Sequence, residues 1–459
     1  MYQIDFDRPQ SVHFIGIGGI SMSGLAEILI QEGFTVSGSD AHESSLTKQL
    51  EADGARIYYG QRADNIVDGL DVVVYTAAVH PDNPEYQEAV RRQLPMLSRA
   101  ELLGQMMKNY RHAVAVAGTH GKTTTTSMLT EILLAADLDP TISVGGILHS
   151  IGGNIRVGGP ELFVTEACEY TNSFLCFFPT IEVILNVEED HLDFFKDLED
   201  IRRSFRLFAQ KLGPEGLLVI NSDIPDYEEL CRGLPCPVVT VGRSVDSDYS
   251  AGEITWDAWA RPAFTLLKNG EPVGELSLGV PGEHNVYNAL AAVAAADALG
   301  VPWEAVKAGL AGFTGTERRF EKKGEIGGVT VIDDYAHHPH EIEATLKTAA
   351  TYPHKKVWCV FQPHTYSRTR AFLDEFAQAL VLADEVILAD IYPARETDTL
   401  GVSSRDIAAR LTKLGGSVHY FPNFDEIETF ILKNCSTGDL LITMGAGDIV
   451  KVGERLLGR

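Results

Sequence analysis

A chain of 459 residues with 45% hydrophobic content is too long for one core and should divide into about three domains. Its 38 basic and 64 acidic side chains give a net charge of −26, which disfavours nucleic acid and anionic membranes as partners, so any anionic ligand must be held by local groups. Six cysteines without paired CxxC spacing, no leader pattern and no apolar run of about 18 residues set the expectation of a cytoplasmic protein that neither spans nor binds a membrane.

The chain opens with a strand expected over residues 12–17, then Gly16-Ile17-Gly18-Gly19 and a helix to about Glu32. The pattern is G-x-G-x-x-S, a Rossmann fingerprint with serine at its third glycine. A second strand, 35–39, places Asp40 where a dinucleotide enzyme keeps its ribose-binding acid. These glycines let a backbone approach a diphosphate on a helix N-terminus, a group carried by NAD and by a UDP-sugar alike. A strand over 71–75 delivers Thr76 to the same carboxyl edge, and Arg99 begins a helix expected over 98–110.

The stretch AVAVAGTHGKTTTT, residues 113–126, carries the strongest signal. A buried strand over 113–117 should lead through Gly118-Thr119-His120-Gly121 into a helix opened by Lys122-Thr123-Thr124. Such a turn aims several N–H groups at one spot, to which the helix dipole adds positive charge. Lys122 suits the β/γ-phosphates of a triphosphate, and the Thr123 hydroxyl suits their Mg²⁺. The loop is shortened: GxxxxGK[ST] would need glycine at Val116, and the first glycine is Gly118.

Two further apolar strands, 162–165 and 181–186, end in Glu166-Ala167-Cys168-Glu169 and Glu188-Glu189-Asp190-His191, making Glu166 and His191 candidate metal ligands near that loop. His284, Asn285 and Asn288 precede an alanine-rich helix, with the two asparagines one turn apart and able to address one partner. Residues 314–320 look like a linker. Beyond them, strands over 330–332, 357–361, 385–389 and 439–443 end in Asp334-Tyr335-Ala336-His337-His338, in Gln362 to Arg370, in Arg395-Glu396 and in Gly445-Ala446-Gly447-Asp448. These clusters describe a Rossmann-like domain presenting its ligand edge.

With GTHGKTTTT, EACEY, NVEEDHLD, GEHNVYNALAA, GTERRF, DDYAHHP and FQPHTYSRTR in this order, the chain resembles the Mur ligases, most closely their alanine-adding branch. The resemblance implies three α/β domains: a Rossmann-like UDP-sugar domain over 1–109, a central P-loop-type ATPase sheet over 110–315, and a C-terminal Rossmann-like ligase domain over 316–459. It implies ATP-dependent joining of L-alanine to the lactyl carboxylate of UDP-N-acetylmuramate through an acyl phosphate, with Mg²⁺ or Mn²⁺, in a monomer or weak homodimer. By the same resemblance Gly18, Gly19, Met22, Ser23, Asp40, Thr76 and Arg99 face the UDP-sugar. Residues 118–124, with His284, Asn285, Asn288, Arg319 and Asp334, hold ATP; Thr123, Glu166 and His191 hold metal. Lys122, Arg319, Asp334 and His337 carry catalysis, and Tyr335 and Arg368 meet the amino acid. Ser21, Ala336 and Thr365 depart from the family pattern, and Arg206 stands near the position where several relatives carry a carbamylated lysine, so that modification is not expected. Readings still open are a tripeptide-recycling or folylpolyglutamate synthase-like ligase, an NAD-dependent oxidoreductase and a non-enzymatic nucleotide switch.

Overall fold

The computed structural model describes residues 2–76 and 78–459; Met1, and Ala77 beside the candidate Thr76, lie outside the described residues. Among these, three sheets follow one another along the chain. The first contains β1 (Ser11–Ile15), β2 (Thr35–Asp40), β3 (Arg56–Tyr59), β4 (Val72–Tyr75) and β5 (Met96–Ser98). All neighbours are parallel in the order β3-β2-β1-β4-β5, so the order reverses between β1 and β4, where open α/β sheets bind ligands. The first strand ends at Ile15, two residues before the expected end, because Gly16 turns the chain at φ 82° and the Gly16 and Ile17 N–H groups both donate to the Ser39 carbonyl. The helix expected over 98–110 is Arg99–Met107. Ser98 caps it, accepting from the Glu101 N–H while the Glu101 carboxylate accepts from Ser98 N–H.

The central sheet comprises β6 (His112–Ala117), β7 (Thr141–Leu148), β8 (Gly153–Arg156), β9 (Leu162–Ala167), β10 (Ile181–Ile184), β11 (Leu217–Asn221), β12 (Val238–Gly242), β13 (Tyr249–Trp256), β14 (Pro262–Lys268) and β15 (Glu271–Ser277). Its order is β15-β14-β13-β12-β11-β10-β6-β9-β7-β8. β6 is buried on both faces and lies between β10 and β9, which explains its unbroken run of small apolar residues. The chain therefore leaves β6 with the ends of β9 and β10 on either side. The antiparallel strands β13, β14 and β15 extend one edge and were not legible as strands: β15 exposes most of its residues and interrupts its alternation with Pro272 and Gly274. Glu182, at the centre of β10, is fully buried with neither carboxylate oxygen hydrogen-bonded, and burial holds its pKa well above the usual carboxylate range.

The third sheet contains β16 (Glu321–Ile326), β17 (Val329–Asp334), β18 (Val357–Phe361), β19 (Glu385–Leu388), β20 (Val418–Tyr420) and β21 (Leu440–Met444), ordered β16-β17-β21-β18-β19-β20. Only β16 is antiparallel.

The hydrophobic cores divide differently from the sheets. One continuous core runs from Val12, Phe14 and Leu25 of the first unit through Tyr110 to Phe163, Phe174 and Phe205 of the second. The Tyr110 and Phe163 rings lie 5.0 Å apart, and Gly24 leaves just enough room for Ile155: a Cβ there would meet that side chain at 2.1 Å. The C-terminal unit keeps its own cores on the two faces of its sheet. Its border with the central unit is largely polar, with Trp259 against Tyr352 at 5.5 Å as an aromatic contact.

Candidate active site

The first ligand edge is built from backbone. Gly19 caps the helix Ile20–Gln31 without a side-chain partner, so the leading N–H groups of that helix point into the crevice. Gly18 donates its N–H to Asp40 at 2.9 Å, and a Cβ on Gly18 would meet that carboxylate at 2.8 Å. Met22 and Ser23 are buried, Met22 in the core and Ser23 bonded to the Ile20 carbonyl, so both offer only main chain to a ligand. Thr76 stands across the switch point with its methyl group against Gly16. Arg99 begins its helix half-buried, with no carboxylate partner among the described residues; burial lowers its pKa, and Cys168 of the central unit lies near it.

The phosphate loop follows β6. Gly118 and Gly121 take φ 144° and 85°, conformations that side chains resist, and Gly121 caps the helix Lys122–Ala135. The loop is tied to the end of β10. His120 N–H donates to Asn186 Oδ1 at 2.7 Å, and the Glu188 N–H donates to the Thr119 hydroxyl at 2.9 Å. The Lys122 ammonium donates to the Gly118 and Thr119 carbonyls and to Glu169 at 3.0 Å. Burial works against its charge, but Glu169 outweighs burial and raises its pKa. Thr123 is buried against Gly146, and Thr124 faces the cleft.

Two acids flank the loop. Glu166 lies within β9 and accepts from the Gly145 N–H, whereas Glu169, past the strand end, reaches both Lys122 and His191, whose Nε2 is 3.7 Å from Glu169 Oε1. His191 holds φ 53° and stacks on Tyr170 at 4.5 Å; burial depresses its pKa despite Asp190 and Glu169. The neighbour of His191 is Glu169, while Glu166 lies close enough to Lys122 to help raise its pKa. Thr123, Glu166 and His191, with Glu169 beside the last, offer hard oxygen donors and an imidazole near the loop, a set that fits Mg²⁺. Arg206 points outward and donates to the Glu229 and Arg232 carbonyls.

A cleft of about 800 Å³ opens beside the loop and is closed on its far side by the C-terminal unit. Asn288 packs its amide oxygen on Gly121, where a Cβ would meet it at 2.5 Å, and donates to Asn285; Asn285 in turn donates to the Pro281 carbonyl. His284 lines the same wall, its pKa lowered to about 4 by burial and Arg319. Asp334 accepts from the Phe320 and Ala336 N–H groups, and burial, opposed by Arg319, lifts its pKa to about 6. Arg319 lies 3.8 Å from Glu341 and 5.5 Å from the Tyr335 ring. His337 Nδ1 meets the Tyr335 carbonyl at 3.0 Å, an acceptor that puts the proton on Nδ1 and leaves Nε2 with its lone pair. Burial lowers the His337 pKa to about 4, keeping the ring neutral. Arg368, 9% exposed, donates through Nε and Nη2 to Asp190, 8% exposed, at 3.2 and 2.7 Å, while Nη1 faces His364 Nδ1 at 3.3 Å.

Family models match all three units: "Mur ligase family, catalytic domain" over residues 11–111, "Mur ligase middle domain" over 116–296 and "Mur ligase, glutamate ligase domain" over 318–447. The chain belongs to the Mur ligase family. Among Mur ligases it is 62% identical to UDP-N-acetylmuramate–L-alanine ligase of Lachnospira eligens and 58% identical to that of Agathobacter rectalis, each over the whole of both chains. The crystal structure of the UDP-N-acetylmuramate–alanine ligase of Thermotoga maritima superposes with a TM-score of 0.80 at 33% identity, covering 98% of this chain and 99% of that one. A murein peptide ligase of Psychrobacter arcticus, another Mur ligase, gives 0.70 at 27%, covering 98% of each.

Sequence reasoning missed Glu169, Asp190 and Glu341 as partners of the site. The first two stand inside the quoted motifs EACEY and EEDH, and the strand boundary at Ala167 is the signal that separates Glu169 from Glu166. Glu341 meets His337 and Arg319 within its own unit, whereas its contact with His120 forms only through the docking of two domains, which no local pattern carries.

Proposed function

We propose that this chain is an ATP-dependent ligase that joins L-alanine to the lactyl carboxylate of UDP-N-acetylmuramate, in the cytoplasm, during peptidoglycan precursor synthesis. The observation that carries the reading is a run of contacts across the domain border, in which a buried Lys122 at a glycine-flanked helix N-terminus pairs with Glu169, His191 faces Glu169 and Asp190, and Asp190 pairs with Arg368, beside a cleft lined by Arg319 and Asp334. A dehydrogenase has no use for that set.

The proposed units are 1–109 for the UDP-sugar, 110–315 for ATP and 316–459 for closure and the amino acid. The N–H groups after Gly19 receive the UDP diphosphate, and Arg99, a guanidinium without a carboxylate partner, faces the acidic end of the sugar nucleotide. The loop 118–124 cradles the triphosphate. Thr123, Glu166 and His191 would hold magnesium, with Glu169 beside His191, and the ion when bound supplies charge neutralisation at the phosphates. The lactyl carboxylate oxygen bonds to the γ-phosphorus as the bond to ADP breaks. The alanine nitrogen then bonds to the acyl carbon as phosphate leaves. Lys122 and Arg319 offset the charge that builds on the phosphoryl oxygens, an electrostatic role that dominates such transfers. Arg368 orients the alanine carboxylate with its planar fork. His337 Nε2, neutral and unprotonated, is placed to take the amine proton. Docking of the third domain excludes water from the acyl phosphate.

The decisive experiment supplies ATP, Mg²⁺ and UDP-N-acetylmuramate with radiolabelled alanine, glycine or serine, and separates the products. Alanine-dependent ADP and a labelled amide are expected. Neither product with alanine, or an amide formed only with a peptide, refutes the assignment.

A further inference from the structure

The border between the phosphate loop and the helix Pro339–Thr351 gathers three histidines that the ligation reaction does not employ together. One ring nitrogen from each of His120, His338 and His340 lies within 4.8 Å of the others. His120 comes from the central unit, and the other two come from the C-terminal unit. The His120 and His338 rings pack at 4.8 Å, and His340 crosses His120 at 6.4 Å. Glu188, from the loop after β10, joins them: its Oε2 contacts His340 Nδ1 and lies 3.3 Å from His120 Nε2. That His120 nitrogen is buried and makes no well-directed hydrogen bond. A buried imidazole nitrogen without a hydrogen bond, facing a second imidazole and a carboxylate, is an arrangement that hydrogen bonding alone leaves unsatisfied.

We propose that this seam binds one borderline divalent transition ion, of the class of Zn²⁺ or Co²⁺, through His120, His340 and Glu188, with His338 nearest for the fourth position. Imidazole and carboxylate donors select such ions over Mg²⁺, which prefers oxygen. Metal–nitrogen bonds of about 2.0–2.1 Å at tetrahedral angles set donors about 3.3 Å apart, so the cluster must contract by about 1.5 Å at its widest. His340 can supply most of that movement, since its side chain is 60% exposed. His338 is the most constrained donor: its Nε2 faces the Glu189 carbonyl at 3.0 Å, and its Nδ1 accepts the His340 N–H. Glu341, 3.2 Å from His120 Nδ1, fixes that ring from behind, the usual companion of a metal-bound imidazole. Because the donors come from two domains, the ion clips the closed arrangement. This site is distinct from Thr123, Glu166, Glu169 and His191.

The test uses the full chain, freed of metal with EDTA and kept free of nucleotide, titrated with Zn²⁺ in equilibrium dialysis and with Co²⁺ by visible absorption. Wild type is expected to bind an ion with the intense bands of four-coordinate cobalt. Glu169→Gln should retain those bands, and His340→Ala should lose them. Loss of a ligand costs at least as much as loss of an outer partner, so Zn²⁺ affinity should fall by about tenfold or more. His340→Lys keeps a cation beside Glu188 while removing the donor nitrogen, and should behave like His340→Ala with unchanged thermal stability. Equal binding and equal spectra in wild type and both His340 variants would overturn the proposal. So would bands lost in Glu169→Gln and kept in His340→Ala, which would place the ion at the phosphate loop.

Discussion

Arg368 is asked to serve two carboxylates, and replacing it separates them. In the structure its Nε and Nη2 grip Asp190 across the domain border, both side chains being nearly buried. If its fork also receives the alanine carboxylate, Arg368→Ala removes a charge-assisted contact worth about 1.5–3 kcal/mol, or about ten- to a hundredfold in the KM for alanine. It also strands a buried carboxylate, a cost of about 3–5 kcal/mol that falls on docking of the C-terminal domain and so on kcat. Asp190→Asn isolates the second effect. It breaks the ion pair but leaves the guanidinium in place, so kcat should fall while the alanine KM stays within about threefold, under ~0.7 kcal/mol. The assay is ADP release at saturating ATP and sugar nucleotide over an alanine titration, repeated with ATP as the varied substrate. An alanine KM that rises equally in Arg368→Ala and Asp190→Asn, or in neither, would show that Arg368 is a tie between domains and nothing more.

Lys122→Ala should abolish ADP formation and leave UDP-N-acetylmuramate binding unchanged by calorimetry, because the two sites share no side chain; residual turnover would contradict the assignment. With no ion in the seam, burial opposes the charge on His120, but Glu188 and Glu341 prevail and raise its pKa from 6.5 to about 9, so an ion binding there must displace that proton. A raised histidine stabilises most below its unfolded pKa, so this contribution, up to about 3 kcal/mol, is complete below about pH 6.5 and lost as pH rises through about 9. The melting-temperature difference between wild type and His120→Gln should therefore shrink from pH 6 to pH 10; a constant difference would refute it. Glu182→Met should stabilise the central unit by about 1–3 kcal/mol by removing a buried carboxyl without partners. The unfolded carboxyl ionises above about pH 4.5 while the folded one resists, so the gain should be larger at pH 8 than at pH 5 in thermal denaturation.

Much of this molecule was legible in its sequence because the chemistry sits where strands end, and strand ends are marked locally. The loop 118–124 is written in contiguous residues and needs only β6 before it and a helix after it. The alanine-rich helix is evident from its composition, although its first turn already includes His284. Glu166 and Glu169 stand in one motif, and which of them faces His191 depends on β9 continuing to Ala167 before the chain turns toward Lys122. Asp190, Glu341 and His340 acquire their cross-domain partners, Arg368, His120 and Glu188, only when the third domain docks, over sequence separations of 152 to 221 residues. At the edge of the central sheet β15 is mostly solvated and breaks its alternation with Pro272 and Gly274, which hides the meander β13 to β15 from a local pattern.

The unequal borders between the units bear on how such a molecule can work cycle after cycle. Grease joins the first two, so the sugar-nucleotide crevice and the phosphate loop travel as a single anvil whose spacing cannot drift. The third docks through charged and wettable residues, so parting that border would exchange salt links for hydration instead of baring an oily face. A hammer built this way would lift without sticking to its neighbours.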